Sequence, residues 1–235
     1  MKNKLIFSTL AALMLVWGSS SVYADSDVYI TQSGASFTAN IVVDGNGNEM
    51  GNATTVFTAT GANLTFDIDM LGASNKIDGK FVSAGASGAE DLEVKQQGAS
   101  NEATINVGDS SAAADVHISE TTTGDSNNTT YNIGSSAATE DVNVTSVLTG
   151  DSNVLIVSEN ATGSTASDKT TTVTMIGNTN TPTITHLGSG HHNTILHHTG
   201  AGGDFDISQS GQHDTDVHII TNGSGTMDVD VTITE

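Results

Sequence analysis

Apolar and polar residues alternate one by one in many short stretches of this chain. Phe66, Ile68 and Met70, for example, are separated by Asp67 and Asp69. A period of two is typical of a β-strand with one buried face and one solvated face. Most of these stretches come in pairs, with a short glycine-containing turn between the two halves. The pattern therefore predicts paired strands joined by tight arcs, and it requires no helix.

The arc recurs along the chain as the motif Gly-x-x-Asn. Five copies follow one another at intervals of 26, 26, 26 and 27 residues: Gly72/Asn75, Gly98/Asn101, Gly124/Asn127, Gly150/Asn153 and Gly177/Asn180. We assign looser copies to Gly34, Gly190 and Gly211. Internal repeats of this length are typical of solenoids. We therefore predict an all-β fold, a β-solenoid of stacked strand–arc–strand units with a period of about 26 residues, in a single domain of residues 25–235.

Stacking explains how such thin units could fold. Two strands with one apolar face bury it only when they fold over at the arc and lie against the next unit, about 4.8 Å away. Glycine in the arc is expected to adopt positive φ without a Cβ clash. Identical asparagine and glutamine side chains in register are expected to form amide ladders along the axis, and the glutamines assigned to them are Gln32, Gln96 and Gln209. Glu120 falls at an inward position of the pattern, where a carboxylate is costly unless it is paired or protonated.

The first 24 residues have the pattern of a bacterial signal peptide. A basic head with Lys2 and Lys4 precedes an apolar stretch at 5–17, and small residues stand at Val22 and Ala24. These features predict cleavage between Ala24 and Asp25 and secretion of the rest of the chain. A membrane anchor is the weaker alternative, because the apolar stretch is too short to span a bilayer.

The charge narrows the range of partners. The chain has 27 acidic residues and 6 lysines and arginines, for a net charge of −21. Such a surface repels nucleic-acid phosphates and anionic lipids, so we expect neither as a partner. We also expect no membrane span in the mature chain, because no segment after residue 24 is apolar enough to cross a bilayer. Cysteine is absent, which excludes disulfides. High charge would also permit disorder, but the regular repeat favours a folded stack.

Other candidate chemistry is weak. The pairs His191/His192 and His197/His198 suggest zinc, but neighbours on a strand point to opposite faces. Aspartates before the first strands suggest calcium, but the nonapeptide of calcium-binding β-rolls is absent. Threonine arrays such as 170–174 suggest ice binding, although ordinary strand preference explains them. Since no catalytic motif occurs, we expect neither an enzyme nor a cofactor or metal site.

The arcs resemble the curlin repeats of the curli major subunit. That family's pattern is Ser, five residues, Gln, x, Gly, two residues, Asn, x, Ala, three residues, Gln. Residues 96–103, which begin with Gln96, match its Gln-to-Ala portion in full. Gln32-Ser33-Gly34 and Gln209-Ser210-Gly211 match Gln-x-Gly. Four copies depart from the pattern, with other residues in place of the Gln before Gly: Met70, Thr122, Leu148 and Met175.

The resemblance implies a secreted structural subunit of an extracellular amyloid fibre, with roles in adhesion and biofilm matrix. Its partners would be further copies of itself, a nucleator subunit and an outer-membrane secretion pore. Neither end of the predicted stack has the features of a cap, since alternation starts at Val28 and returns at 227–233. End-to-end stacking is therefore expected, with acidic repulsion that salt, divalent cations or lower pH would relieve. The alternative is a monomeric β-solenoid that acts as a cell-surface adhesin or binding module.

Overall fold

A computed structural model describes residues 2–7, 12–18, 25–33, 36–52, 54, 56–83, 90–108, 115–134, 141–160, 168–211 and 214–234. This part of the chain forms two parallel β-sheets and contains no helix, so none of its segments is a candidate membrane-spanning helix. The sheets lie face to face in a β-solenoid of about 7 turns with a period of about 26 residues. The predicted fold class is therefore confirmed.

Successive strands alternate between the two sheets, except that β5 and β6 both lie in sheet A. Sheet A has 11 strands: β1 (Lys2–Phe7), β3 (Asp25–Ser33), β5 (Gly47–Met50), β6 (Phe57–Gly61), β8 (Ser74–Ser83), β10 (Ser100–Val107), β12 (Ser126–Ile133), β14 (Ser152–Asn160), β16 (Thr179–Leu187), β18 (Gly203–Ser210) and β20 (Met227–Thr234). Sheet B has 9 strands: β2 (Ala12–Gly18), β4 (Ser36–Asp44), β7 (Asn63–Leu71), β9 (Glu90–Gln97), β11 (Val116–Thr123), β13 (Val142–Thr149), β15 (Lys169–Ile176), β17 (His192–Thr199) and β19 (Thr215–Asn222).

Equivalent residues of successive repeats lie directly over one another. In the central part of the solenoid each layer consists of a sheet B strand, an arc and a sheet A strand, and every pairing between layers is parallel. Asn101 pairs in register with Asn75 and Asn127, and Ile118 with Leu92 and Val144. Because the register keeps like positions together, one alternation pattern generates a continuous column of side chains.

The core lies between the sheets and changes in character along the axis. In the layers from β4 to β8 it contains four phenylalanines, Phe37, Phe57, Phe66 and Phe81, whose contacting ring centroids are 5.0–5.4 Å apart. Later layers bury aliphatic residues together with polar ones. The aromatic cluster therefore makes the early layers the most conventional hydrophobic part of the fold.

The arc glycines are required for a different reason from the one expected. None of Gly72, Gly98, Gly124, Gly150 and Gly177 has positive φ, so that expectation was wrong. Instead, a Cβ on each of them would overlap the backbone carbonyl oxygen of the arc glycine one layer away. Glycine is needed because successive arcs approach more closely than a side chain permits.

The arcs at the two ends of the repeat involve other glycines than the looser copies suggested. Gly45 and Asn48 form an arc before Gly72, and Gly200 and Gly223 continue the column of close contacts after Gly177. Gly190 and Gly211 lie at the opposite edge, where sheet A strands return to sheet B. Gly34 falls outside the described residues, between β3 in sheet A and β4 in sheet B.

Strands β1 and β2 fall within the predicted signal peptide. They pair with β3 and β4 at one end of the solenoid. Ala24 lies outside the described residues, and β3 begins at Asp25, the first residue after the predicted cleavage point. Cleavage itself stays a prediction. If it occurs, sheet A starts at β3 and sheet B at β4.

The arc contact predicts a sharp difference between two glycines. A Cβ at position 124 would overlap Gly98 O and lie 2.6 Å from Asn101 Nδ2, whereas at Gly202 the nearest atom is 3.2 Å away. Gly124→Ala should therefore lower the free energy of unfolding by about 2–3 kcal/mol through overpacking, and Gly202→Ala by less than about 1 kcal/mol. Urea unfolding of the two purified variants tests this, and equal losses would contradict it.

Candidate functional site

A ladder of six buried asparagines runs along the arcs. Each side-chain Nδ2 donates to the Oδ1 of the asparagine one layer on, at 2.9, 2.8, 2.9, 2.7 and 2.6 Å: Asn48, Asn75, Asn101, Asn127, Asn153 and Asn180. The asparagines of the five predicted arcs are thus joined into one chain of hydrogen bonds. Such chains polarise and strengthen their members.

The same amides also secure the backbone of the next arc. Asn101 Nδ2 donates to Thr123 O at 3.1 Å, and Asn127 Nδ2 donates to Thr149 O at 3.1 Å. These carbonyls precede the next arc glycine and also accept the N–H of the arc glycine one layer back, as in Gly98 N to Thr123 O at 3.0 Å. Each asparagine therefore fixes both the side-chain column and the spacing of the arcs.

The ladder ends at a histidine. Gly203 pairs with Asn180 in the next layer, so no further amide is available. Asn180 Nδ2 instead lies 2.7 Å from Nδ1 of His198, a buried residue of β17. The His198 ring contacts Phe205 edge-on, with ring centroids 5.1 Å apart. This contact terminates the amide ladder inside the fold, two layers before the last strand of sheet A.

The three glutamines assigned to the ladder do not come together. Gln96 lies in sheet B, where Met70 and Thr122 are its partners in register, and its amide donates to Glu102 O at 3.2 Å. Gln32 and Gln209 lie in sheet A, near opposite ends of the solenoid. Gln209 stands nine residues after Gly200, where the curlin pattern has its last glutamine rather than its first.

Glu120 is buried in the core and surrounded by hydroxyl groups. Thr122 and Thr129 donate to Oε1 at 2.9 and 2.6 Å, and Ser146 donates to Oε2 at 2.6 Å. Burial raises the pKa of Glu120 above its ordinary value, and the hydrogen bonds from Ser146, Thr129 and Thr122 only partly oppose this rise. The inward carboxyl group noted in the sequence therefore has partners in its own layer and in the next one.

A second buried polar cluster spans the layers from β14 to β18 at the edge opposite the arcs. Glu159 Oε2 lies 3.4 Å from His186 Nε2, and Thr171 Oγ1 lies 2.8 Å from Glu159 Oε1 and 3.0 Å from His186 Nε2. Gln209 Nε2 lies 3.4 Å from His186 Nδ1 and donates to Thr194 at 3.1 Å. Sequence spacing did not reveal this cluster, because its members come from both sheets and from successive layers.

Glu159 and His186, the two ionisable groups in contact within this cluster, are both uncharged at neutral pH. Burial raises the pKa of Glu159 to about 8, and burial with the nearby His192 and Lys169 lowers the pKa of His186 to about 3. Burial also lowers the pKa of Lys169, an effect that Glu159 opposes. The pair therefore consists of a protonated carboxyl group beside a neutral imidazole between these two pKa values.

The outer surface does not gather its ionisable groups into a metal site. Among the described residues, no group of three or more His, Asp or Glu side chains is placed to hold a metal ion. His191 and His197 are exposed whereas His192 and His198 are buried, so each adjacent pair divides between the surface and the core. His213 lies outside the described residues.

The last layer leaves the core open. Strands β19 and β20 each have a neighbour on one side only, β17 and β18 respectively. Val229, Val231 and Ile233 continue the inward columns of β18 and are 41%, 43% and 50% exposed. An apolar, strand-shaped surface with unpaired backbone groups is therefore present at this end.

Comparison with known protein families, with curated proteins and with solved structures finds no match to this chain.

The ladder predicts unequal effects at two adjacent asparagines. Asn127→Ala removes four hydrogen-bond contacts and leaves the buried amide of Asn101 without its side-chain acceptor. We expect a loss of about 2–4 kcal/mol in unfolding free energy, because buried polar groups lose their partners. Asn128, which is exposed on the outer face, should tolerate alanine within about 0.5 kcal/mol. Urea denaturation measures both, and a tolerated Asn127→Ala would refute the role of the ladder.

The Glu159–His186 pair predicts a pH dependence of stability. The folded state holds an extra proton on Glu159 between its ordinary pKa of 4.5 and about 8, and it lacks one on His186 between about 3 and 6.5. The two effects have opposite signs and cancel between pH 4.5 and 6.5, the ordinary pKa values of the two groups. From pH 6.5 to 8 only Glu159 of this pair still differs in protonation between the folded and unfolded states. It therefore lowers the free energy of unfolding as pH rises, by up to about 1.4 kcal/mol per pH unit.

The matching experiment is urea unfolding of Glu159→Gln at pH 6.5 and pH 8. The variant should lose less stability than the native chain over this interval, because glutamine does not titrate. Glu102→Gln, at an exposed position of β10, serves as the control and should retain the native slope. An unchanged slope in Glu159→Gln would show that the buried carboxyl group is not the titrating species.

Proposed function

We propose that this chain is a secreted structural subunit of an amyloid-like extracellular fibre, which assembles by stacking end to end. The observation that supports it most directly is the open layer formed by β19 and β20. Its inward positions hold Val217, Ile219 and Met227, which are half-buried against the core, and the exposed valines and isoleucine of β20. A further layer from another copy would cover them as β20 covers β18.

Within the described residues, the layer formed by β19 and β20 carries none of the devices that block strand addition. Natural solenoids close their ends with helices, prolines or inward charges. Here Asp228 and Asp230 point outward, in register with Asp204 and Asp206, and the inward positions of β20 are apolar. A strand added next to β20 would therefore gain backbone hydrogen bonds and would also bury the apolar side chains of β20.

The other end would supply a complementary surface after signal cleavage. Without residues 1–24, β3 and β4 would lose their outer neighbours β1 and β2. The inward residues of these strands include Val28, Ile30, Phe37 and Ile41, all apolar. Two open ends of the same parallel architecture permit head-to-tail growth, which is a heterologous contact that does not close on itself.

The resemblance to curlin repeats also supports a fibre subunit. The stacked Gly-x-x-Asn arcs are the feature that this chain has in common with that pattern. From the resemblance we propose roles in adhesion and biofilm matrix, export through an outer-membrane pore, and assembly with a nucleator subunit. A fold alone does not determine function, so these roles rest on the motif and on the signal-like N-terminal sequence.

A monomeric cell-surface adhesin is the second candidate. The net charge of −21 favours it, because carboxylates brought together by polymerisation repel one another. The two candidates differ in the use made of the open layer, which would be an assembly surface in the fibre subunit and an exposed end in the adhesin.

A charge placed in the open layer tests the proposal. Val231→Asp puts a carboxylate at an inward position that is already exposed, so the monomer should fold normally while an added layer would bury the charge. We expect seeded elongation, followed by thioflavin fluorescence and electron microscopy, to be abolished. Thr232→Asp adds the same charge at the neighbouring outward position and should elongate. Unimpaired growth of Val231→Asp, or a native chain that stays monomeric, would contradict the proposal.

A further inference from the structure

The outward side of sheet B carries no charge in its central strands. Three consecutive outward positions in each of β11, β13 and β15, at 119–123, 145–149 and 172–176, contain no Asp, Glu, Lys or Arg. We call these nine positions the threonine face. Six of them are threonines: Thr121, Thr123, Thr145, Thr149, Thr172 and Thr174. The remaining three are serine, valine and isoleucine.

The parallel register arranges the threonine face as a regular grid. Thr145 pairs in register with Ser119 and Thr172, and Val147 pairs with Thr121 and Thr174. Rows of the grid are about 4.8 Å apart and alternate residues in a row are about 6.6 Å apart. All nine side chains are exposed or half-buried, including Ile176, which is 43% exposed. The result is a regular array of short hydroxyl and methyl groups.

Carboxylates lie along three borders of the threonine face, whereas the fourth neighbour, β17, has no acidic residue at its outward positions. Asp125 and Asp151 are exposed in the arcs along one edge, and Asp115, Asp141 and Asp168 are exposed along the other. Earlier strands of sheet B carry acidic groups on their outward side, among them Asp67, Asp91 and Glu93. In a chain with a net charge of −21, the threonine face is thus an uncharged surface where two copies can meet without apposed carboxylates.

We propose that the threonine face binds the same face of a second copy, and that it joins filaments side by side. This inference rests on the proposed fibre function. Two such faces would pack as stacked sheets about 10 Å apart, with short β-branched side chains interdigitated between them. The aspartates of the two lateral edges would face solvent on either side, and their repulsion would keep the two filaments aligned with the uncharged strips in contact.

The area of the face explains why filaments, rather than single subunits, would pair. Three strands of five residues cover on the order of 240 Å², well below the roughly 800 Å² per partner of a stable interface. A single subunit therefore stays apart from its copies. In a filament every subunit repeats the same face, so the contact area grows with length and pairing becomes favourable only after elongation.

A charge at the centre of the grid tests the inference. Thr145→Glu places a carboxylate in the threonine face, and Thr65→Glu places the same charge at an outward position of β7, beyond its border. Electron microscopy of filaments grown from each purified protein measures the fraction that is paired. Native and Thr65→Glu filaments should pair, whereas Thr145→Glu filaments should stay single with an unchanged elongation rate.

The possible outcomes separate this inference from the proposed function. Filaments that pair equally in all three proteins, or native filaments that stay single, would overturn lateral pairing and leave the fibre proposal standing. A native chain that forms no filaments would overturn both. Single native filaments that arrest the growth of ice crystals would assign the threonine face to ice and would likewise overturn pairing.

Discussion

The spacing between successive arcs is the constraint on which the rest of the structure depends. In the arcs from Gly72 to Gly177 the glycine leaves room only for the carbonyl of the preceding arc, and the asparagine three residues later links neighbouring layers through its amide. These two residues hold the layers at the distance of a parallel β-ladder, so every strand pairing and every column of the core follows from them. A larger residue at either position would disturb two layers at once, because each arc contacts the arcs of both adjacent layers.

The stacked arrangement also explains how a thin core can contain carboxyl groups. In a globular core an inward glutamate needs partners from distant parts of the chain, but here hydroxyl groups from adjacent layers already point at Glu120. The same logic places Glu159 against Thr171 and His186. Polar groups are satisfied along the axis as well as across it, so a fold with few aromatic residues is held together by hydrogen bonds inside the core. The stability of these layers therefore depends on the protonation state of the buried groups, which is not the case in the phenylalanine-rich early layers.

Much of this fold could be predicted from the sequence because its repeat is almost constant between Gly72 and Gly177. Alternation identified the inward side chains, and the Gly-x-x-Asn spacing located the arcs. Prediction failed where the period changes, since Gly177, Gly200 and Gly223 are separated by 23 residues and the arc asparagine is lost at Gly203. Gln-Ser-Gly segments then looked like arcs although they end sheet A strands. The Glu159–His186 cluster could not be predicted either, because its members are separated by irregular intervals along the chain. Their contacts depend on the register of the strands.

The distribution of charge suggests an order of assembly. In the proposed fibre, a new layer along the axis would gain backbone hydrogen bonds and cover the exposed apolar positions of β20. A single subunit could make these strong and local interactions. Across the axis, the threonine face offers only a small area without backbone bonding, and its acidic borders oppose any misaligned approach. Axial growth should therefore come first, and lateral contact should follow only when many copies of the face have been aligned by it. The same negative charge that slows the meeting of two monomers would then select the one orientation in which two filaments can lie together.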